Sequence, residues 1–124
     1  MAKKICLDTD LAIAILNGEA RAEKFRNALS DNELYISSVT VFELFLRKSN
    51  LDKISIFLTN VGILYFDDKS AIEASEIYKE LEKNGRIIGI NDIFIASIAI
   101  TNNCSLATFN KKHFLRIKNL ELLG

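Results

Sequence analysis

The 124-residue chain has no proline, five glycines, two cysteines and one histidine. It also has no Gly/Ser-rich stretch, no low-complexity tract and no internal repeat, so nothing in it reads as a linker. At this length there is room for one core, and residues 1–124 are read as a single domain. Two cysteines are too few for a disulfide framework, and no Cys or His cluster offers a zinc site. No Gly-rich phosphate loop is present. Charge of one sign is missing as well: Lys plus Arg is 16 and Asp plus Glu is 16. A protein that coats nucleic acid draws its affinity from a large basic excess, so that class is excluded, though an enzyme touching a few phosphates locally is not. A neutral chain is poorly self-repelled, which tilts it toward association.

A membrane-spanning run is missing too. The uncharged stretch from Ile93 to Asn110 is split by Thr101, Asn102, Asn103 and Ser105, leaving only Ile93 to Ile100 as an apolar run. With no signal-peptide pattern ahead of Ile5, the expected location is cytoplasmic. What remains is the balance of an ordinary globular protein, 49% hydrophobic and 26% charged. Such a chain buries about two-thirds of its unfolded surface, enough for a core without staples.

Short apolar runs alternate with helical patterns. Strands are expected at Ile5–Leu7, Leu34–Ile36, Ile63–Phe66 and Ser105–Phe109, with a fifth at Leu120–Leu123. Helices are expected from Leu11 to Leu16, broken at Gly18, and over Glu19–Leu29, Val39–Lys48 and Leu51–Leu58. Asp68 should cap a helix with Ile72, Ser75, Ile77, Tyr78 and Leu81 inward, ended by Gly85, and Asn91 should start another through Ile100. Continuously apolar strands separated by helices indicate a parallel sheet covered on both faces, a three-layer α/β/α sandwich.

In such sheets, sites form beyond the carboxyl ends of the strands. Asp8 follows the first strand, Ser37-Ser38 the second, Asp67-Asp68 the third and Asn110 the fourth. Asp8 alone could simply start a helix, with Thr9 or Asp10 as its cap. Glu43 is the only charge between Glu33 and Arg47, on a helix whose apolar side chains cover nearly its whole circumference. A buried carboxylate must be neutralised, paired with a base or bound to a metal. Asp92 opens an otherwise uncharged helix, where it could cap the end or favour the dipole. Like charges gathered together repel unless a cation lies between them, and hard oxygen ligands suit Mg²⁺ or Mn²⁺.

Three segments together resemble the PIN-domain ribonucleases, in particular VapC-type toxins of prokaryotic toxin–antitoxin pairs. Leu7-Asp8-Thr9-Asp10-Leu11 is similar to the family's opening LDT motif. Ile36-Ser37-Ser38-Val39-Thr40-Val41-Phe42-Glu43-Leu44 is similar to its IS-x-VT-x-x-EL segment. Asn91-Asp92 to Ala99, followed by Ala107-Thr108-Phe109-Asn110-Lys111-Lys112-His113-Phe114, resembles its D-x-x-IA-x-x-A and T-x-N-x-x-x-F ending. The resemblance covers most of the chain, with variable middle helices. It implies a parallel sheet of order 3-2-1-4-5 and an acidic pocket that binds one or two divalent metals to cut RNA. The family's invariant acids fall on Asp8, Glu43 and Asp92. Its fourth acidic position falls on Asn110, which is not acidic, and this weakens the case for a second tightly bound metal.

The implied mechanism is metal-assisted phosphodiester hydrolysis by an endoribonuclease. Asp8, Asp92 and Glu43 would be both catalytic residues and the Mg²⁺ (or Mn²⁺) site. Asp8 and Asp92 would ligate directly, and Glu43 would hold or deprotonate the attacking water. Thr9, Thr108 and Asn110 would orient ligands or substrate, and Lys111, Lys112 and His113 would contact the RNA backbone. The implied partners are RNA, a cognate VapB-like antitoxin covering the acidic pocket, and a second copy in a homodimer, with no membrane. Two other readings stand beside it. One is a PIN fold that has lost catalysis and only binds a partner. The other is a phosphoacceptor receiver-like domain with Asp67 as acceptor.

Overall fold

The structure is a computed structural model that describes residues 2–123. Its centre is a four-stranded, wholly parallel sheet of β1 (Lys4–Leu7), β2 (Glu33–Ser37), β3 (Gly62–Leu64) and β4 (Ser105–Ala107), in the order β3-β2-β1-β4. The fifth strand expected at Leu120–Leu123 is reduced to a bridge. Leu106 pairs in parallel with Leu122, and two hydrogen bonds hold it: Leu106 N to Glu121 O at 2.8 Å and Leu123 N to Leu106 O at 2.9 Å. Asn119, at φ 66°, turns the chain just before this contact. The bridge nevertheless occupies the fifth place in the 3-2-1-4-5 order.

Alternate residues of each strand feed two separate cores, as the two-residue period of a strand requires. Ile5, Leu7, Ile36 and Ala107 face one layer, where they meet Leu11 of α1 (Thr9–Leu16), Phe25, Leu44 of α3 (Ser38–Phe45) and Ile54 of α4 (Leu51–Leu58). Cys6 and Leu106 face the other, against Ala74, Ile77 and Leu81 of α5 (Asp68–Lys83) and Ile93, Ile95, Ala96 and Ala99 of α6 (Ile90–Thr101). Burial on both faces explains why the strands carry no polar alternation.

Several element boundaries differ from the sequence expectation. Glu19–Leu29 is a 3₁₀ helix at Ala20–Phe25 followed by α2, a short α-helix at Arg26–Ser30. The third helix ends at Phe45 rather than Lys48. The third strand spans Gly62–Leu64, not Ile63–Phe66, because the Phe66 amide leaves the sheet to donate to Ser38 Oγ at 3.1 Å. The fourth strand stops at Ala107 rather than Phe109, where Thr108 turns its side chain to Asp8. Asp67, not Asp68, caps α5 by accepting from the Ser70 amide at 2.9 Å. The buried stripe of α5 is Ser70, Ala74, Ile77 and Leu81; Ile72, Ser75 and Tyr78, expected inward, face out, Ile72 by 62%. The α6 helix begins at Ile90 after Gly89, so Asp92 lies in its first turn and does not cap it. Gly85 ends α5 as expected, at φ +64°, with the Arg86 amide donating back to Leu81 O at 2.8 Å.

Candidate active site

The carboxyl ends of β1 and β4 meet where the Asp8 amide donates to Ala107 O at 3.1 Å. Asp8 itself caps α1: its Oδ1 accepts from the Leu11 amide at 2.9 Å, a role expected of Thr9 or Asp10. Its other oxygen, Oδ2, accepts from the Thr108 hydroxyl, so the carboxyl is fixed at once from α1 and from the end of β4. Thr108 Oγ1 also accepts from the Asn110 amide at 2.9 Å. With the cap made by Asp8, Thr9 is free to turn toward α3, where its hydroxyl donates to Glu43 Oε1 at 2.7 Å.

That bond closes a relay of hydroxyls. Thr9 Oγ1 also lies 3.0 Å from Thr40 Oγ1, and Ser37 Oγ donates to Thr40 Oγ1 at 3.3 Å. An ionised carboxylate only accepts, so the single Thr9 proton goes to Glu43 and Thr40 must donate to Thr9. Every hydroxyl proton from Ser37 onward then points toward Glu43. Ser37 is also the N-cap of α3, accepting from the Thr40 amide at 3.0 Å. The capping of α3 and the orientation of its only carboxylate thus share one pair of residues.

Charge gathers around this frame. Asp8 is buried, and burial pushes its carboxyl up to about 6; donation from Thr108 and Leu11 pulls it down, while Asp10 and Asp92 add to the rise. Asp92, half-buried on α6, is raised first by burial and then by Glu43, with His113 opposing and Asp10 reinforcing. The carboxyls of Asp8 and Asp10 at the start of α1, Glu43 on α3 and Asp92 on α6 are therefore linked by mutual repulsion. The ion pairs among the described residues are Arg21–Glu19, Arg26–Glu23 and Lys118–Glu80, and none of them reaches this site. The paired Glu43 that sequence reasoning weighed does not occur: its bond is to a hydroxyl, not to a base.

Among the described residues, no three carboxylate or imidazole side chains converge closely enough to grip one ion by themselves. The donor set is nevertheless the kind Mg²⁺ accepts, since that ion keeps several waters and takes one or two carboxylates rather than a closed protein cage. Asn110, in the fourth acidic position, is hydrogen-bonded through Nδ2 to His113 Nδ1 at 2.7 Å. Lys111 and Lys112 open α7 (Lys111–Phe114) and are exposed. Sequence reasoning set Asp10 aside as a capping residue and did not link Ser37 and Thr40 to Glu43. The available signals were the second acid two positions after Asp8 and the Ser-x-x-Thr spacing ahead of Glu43.

Carboxylates without a basic partner, gathered at the carboxyl edge of a central parallel sheet, mark an α/β protein with an acidic cluster at that edge. The sequence matches the PIN domain family over residues 5–120, and the chain belongs to that family. Among relatives it is similar to ribonuclease VapC2 of Rickettsia felis, 36% identical with 94% of this chain and 93% of the relative covered. It is 33% identical to ribonuclease VapC1 of Methanocaldococcus jannaschii, covering 96% of this chain and 85% of that one. Among solved structures it is similar to VapBC2 from Rickettsia felis bound to a DNA fragment from their promoter, at 34% identity, 97% of each chain and a TM-score of 0.84. The DNA-bound VapBC of Salmonella typhimurium gives 29% identity, 99% of this chain and 98% of that one, and a TM-score of 0.85.

Proposed function

We propose that this chain is an endoribonuclease that requires Mg²⁺ or Mn²⁺ and is the toxin of a VapBC-type pair. The observation that carries the reading is the buried Asp8, whose carboxyl is raised to about 6 among like-charged Asp10 and Asp92. It stands on a chain that is 36% identical to a ribonuclease. Asp8 and Asp92 would hold the cation, a hard ion suited to carboxylate oxygens, with Glu43 beside it to hold the attacking water. When bound, it offsets charge on the attacked phosphate and eases ionisation of the attacking water.

The protein's own groups do the rest. The Leu11 amide and Thr108 hydroxyl hold both oxygens of Asp8 in place. Glu43 accepts the Thr9 hydroxyl's hydrogen bond on Oε1 and offers Oε2 to the attacking water, whose proton it takes. Thr108 and Asn110 position Asp8 and His113, and His113 with Lys111 and Lys112 contacts the RNA backbone. Binding to a VapB-like antitoxin and to a second copy needs apolar surface. Phe42, Phe45 and Leu46 on and just past α3 supply some, exposed by 59%, 43% and 62%.

The receiver-like reading fares worse on topology. Asp67 follows β3, which lies at the sheet edge with β2 between it and β1, and its carboxylate is occupied in capping α5. RNA cleavage by the purified chain, with Mg²⁺, Mn²⁺ or chelator, tests the proposal. Cleavage is expected with either metal, none in chelator, and none by Asp8→Asn. A folded parent that binds its antitoxin but cuts no RNA in any divalent metal would point to a binding-only PIN domain.

A further inference from the structure

Next to Asp8's partner Thr108 lies an open depression of about 310 Å³ lined by Lys24, Thr108, Phe109, Asn110, Lys111 and Lys112. Thr108 is shared with the acidic site, since its hydroxyl donates to Asp8, so the depression and the acidic cluster have a wall residue in common. Their chemistry is opposite. No acid lines the depression, and its three lysines take part in none of the ion pairs among the described residues. Lys111 and Lys112 come from the turn after β4, whereas Lys24 comes from the 3₁₀ helix some 80 residues earlier.

Lys24 is placed there by aromatic packing. Its Nζ lies 5.4 Å from the centre of the Phe109 ring and 5.5 Å from that of Phe25. The two rings meet edge to face at 5.6 Å. Arg21 covers Phe109 at 4.4 Å while its Nε pairs with Glu19 at 2.8 Å. With Arg21 over Phe109 and paired to Glu19, Lys24 is the cation of this helix with charge to spare for a ligand. Cations over aromatic rings gain from the ring quadrupole, which fixes Lys24 above Phe109. A ring covered by Arg21 is a poor platform for a base, so the occupant is an anion rather than a stacked nucleobase.

We propose that Lys24, Lys111 and Lys112 form a subsite for one backbone phosphate of the RNA, adjacent to the phosphate cleaved at the carboxylates. This rests on the ribonuclease reading for the identity of the polyanion. Phosphate contacts position a strand without reading its sequence, so the subsite sets where along the backbone the cleaved bond lies. It also supplies attraction that the acidic pocket lacks before a cation fills it.

The test uses a short, labelled single-stranded RNA of mixed sequence, bound in chelator over about 50–200 mM salt. Proteins compared are the parent, Lys24→Gln, Lys111→Gln/Lys112→Gln, and Lys79→Gln on the opposite layer. Each site variant should weaken binding about tenfold, the worth of one charge-assisted hydrogen bond. The salt slope should fall by about 0.7, the share of one single-strand phosphate. Lys79→Gln should match the parent. A series of RNAs with one neutral methylphosphonate each should show one linkage whose loss hurts the parent and not the site variants. Equal affinity and slope in parent and site variants, equal losses in Lys79→Gln, equal losses at every linkage, or no binding by the parent would each overturn the subsite. Cleavage by the same proteins in Mg²⁺ separates the two claims. Lysine-dependent binding without cleavage sinks the nuclease reading alone, and cleavage with KM and salt slope indifferent to the lysines sinks the subsite alone.

Discussion

Thr9 and Glu43, 34 positions apart, meet at 2.7 Å, and this bond joins the first residue of α1 to the only carboxylate of α3. Thr9→Val keeps the shape and removes the donor. RNA cleavage should fall about 10–100-fold, as when groups that orient metal ligands are lost. Thr9→Ser should restore most of it. Steady-state rates for the three proteins check this, with circular dichroism confirming an unchanged fold.

Glu43 has no basic partner, so Glu43→Gln strands no charge. A broken buried ion pair would cost about 3–5 kcal/mol. Here stability in chelator should hold or rise by roughly 0.5–2 kcal/mol, the pattern of a site that trades stability for function. Divalent metal should stabilise the parent by about 2.7 kcal/mol at a hundredfold excess over its Kd, and the variant less. Thermal melts with chelator and with Mn²⁺ give all four values. A large loss in chelator with an unchanged metal response would assign Glu43 to the core instead.

Asp8 makes the metal-free protein pH-sensitive. Its folded carboxyl titrates near 6, above the usual 3.8, so the folded state binds the proton more tightly than the unfolded one. Its contribution is full below pH 3.8 and is lost as pH rises through about 6, up to about 3 kcal/mol. Asp92 is shifted in the same direction. Asp8→Asn should flatten the stability profile over this window and melt higher than the parent at pH 7 in chelator. Denaturant titrations at pH 4, 5, 6 and 7 would expose an unchanged profile, and with it a misplaced Asp8.

Gly62 marks a close approach inside the sheet. A Cβ there would lie 2.5 Å from the Tyr35 ring, and Tyr35 is held by donating its hydroxyl to Glu33 at 2.8 Å. Gly62→Ala should cost about 1–3 kcal/mol from overpacking. Combined with Tyr35→Ala, the added cost of the alanine should shrink, which a double-mutant cycle of unfolding free energies would register.

The acids of the site were legible because each breaks a local pattern: Asp8 stops an apolar strand, and Glu43 and Asp92 are lone charges on apolar helices. Their assembly was not. Asp8, Thr9 and Asp10 are all competent caps, and only the tertiary pull of Glu43 on Thr9 decides which one caps. The strand order was legible from the family resemblance, whereas strand lengths were not. Tyr65 and Phe66 look like strand residues by type, yet Tyr65 is 67% exposed and Phe66 bonds to a side chain. On α5, Asp67 and Asp68 are equivalent on paper as caps, and Ile72, Ser75 and Tyr78 fit an inward face by type and spacing, yet packing buries Ser70, Ala74, Ile77 and Leu81 instead.

The single bridge at Leu122 has a practical consequence for anyone handling the protein. The strand that delivers Thr108 to Asp8 has its outer edge covered, among the described residues, by the backbone of Glu121 and Leu123. An edge left bare is a template for pairing with another chain. A tag fused after residue 123 that drags this segment away would loosen the brace on Asp8 and open a sticky border beside it. Fusions are better tolerated ahead of Lys4, where β1 is already flanked by strands on both sides.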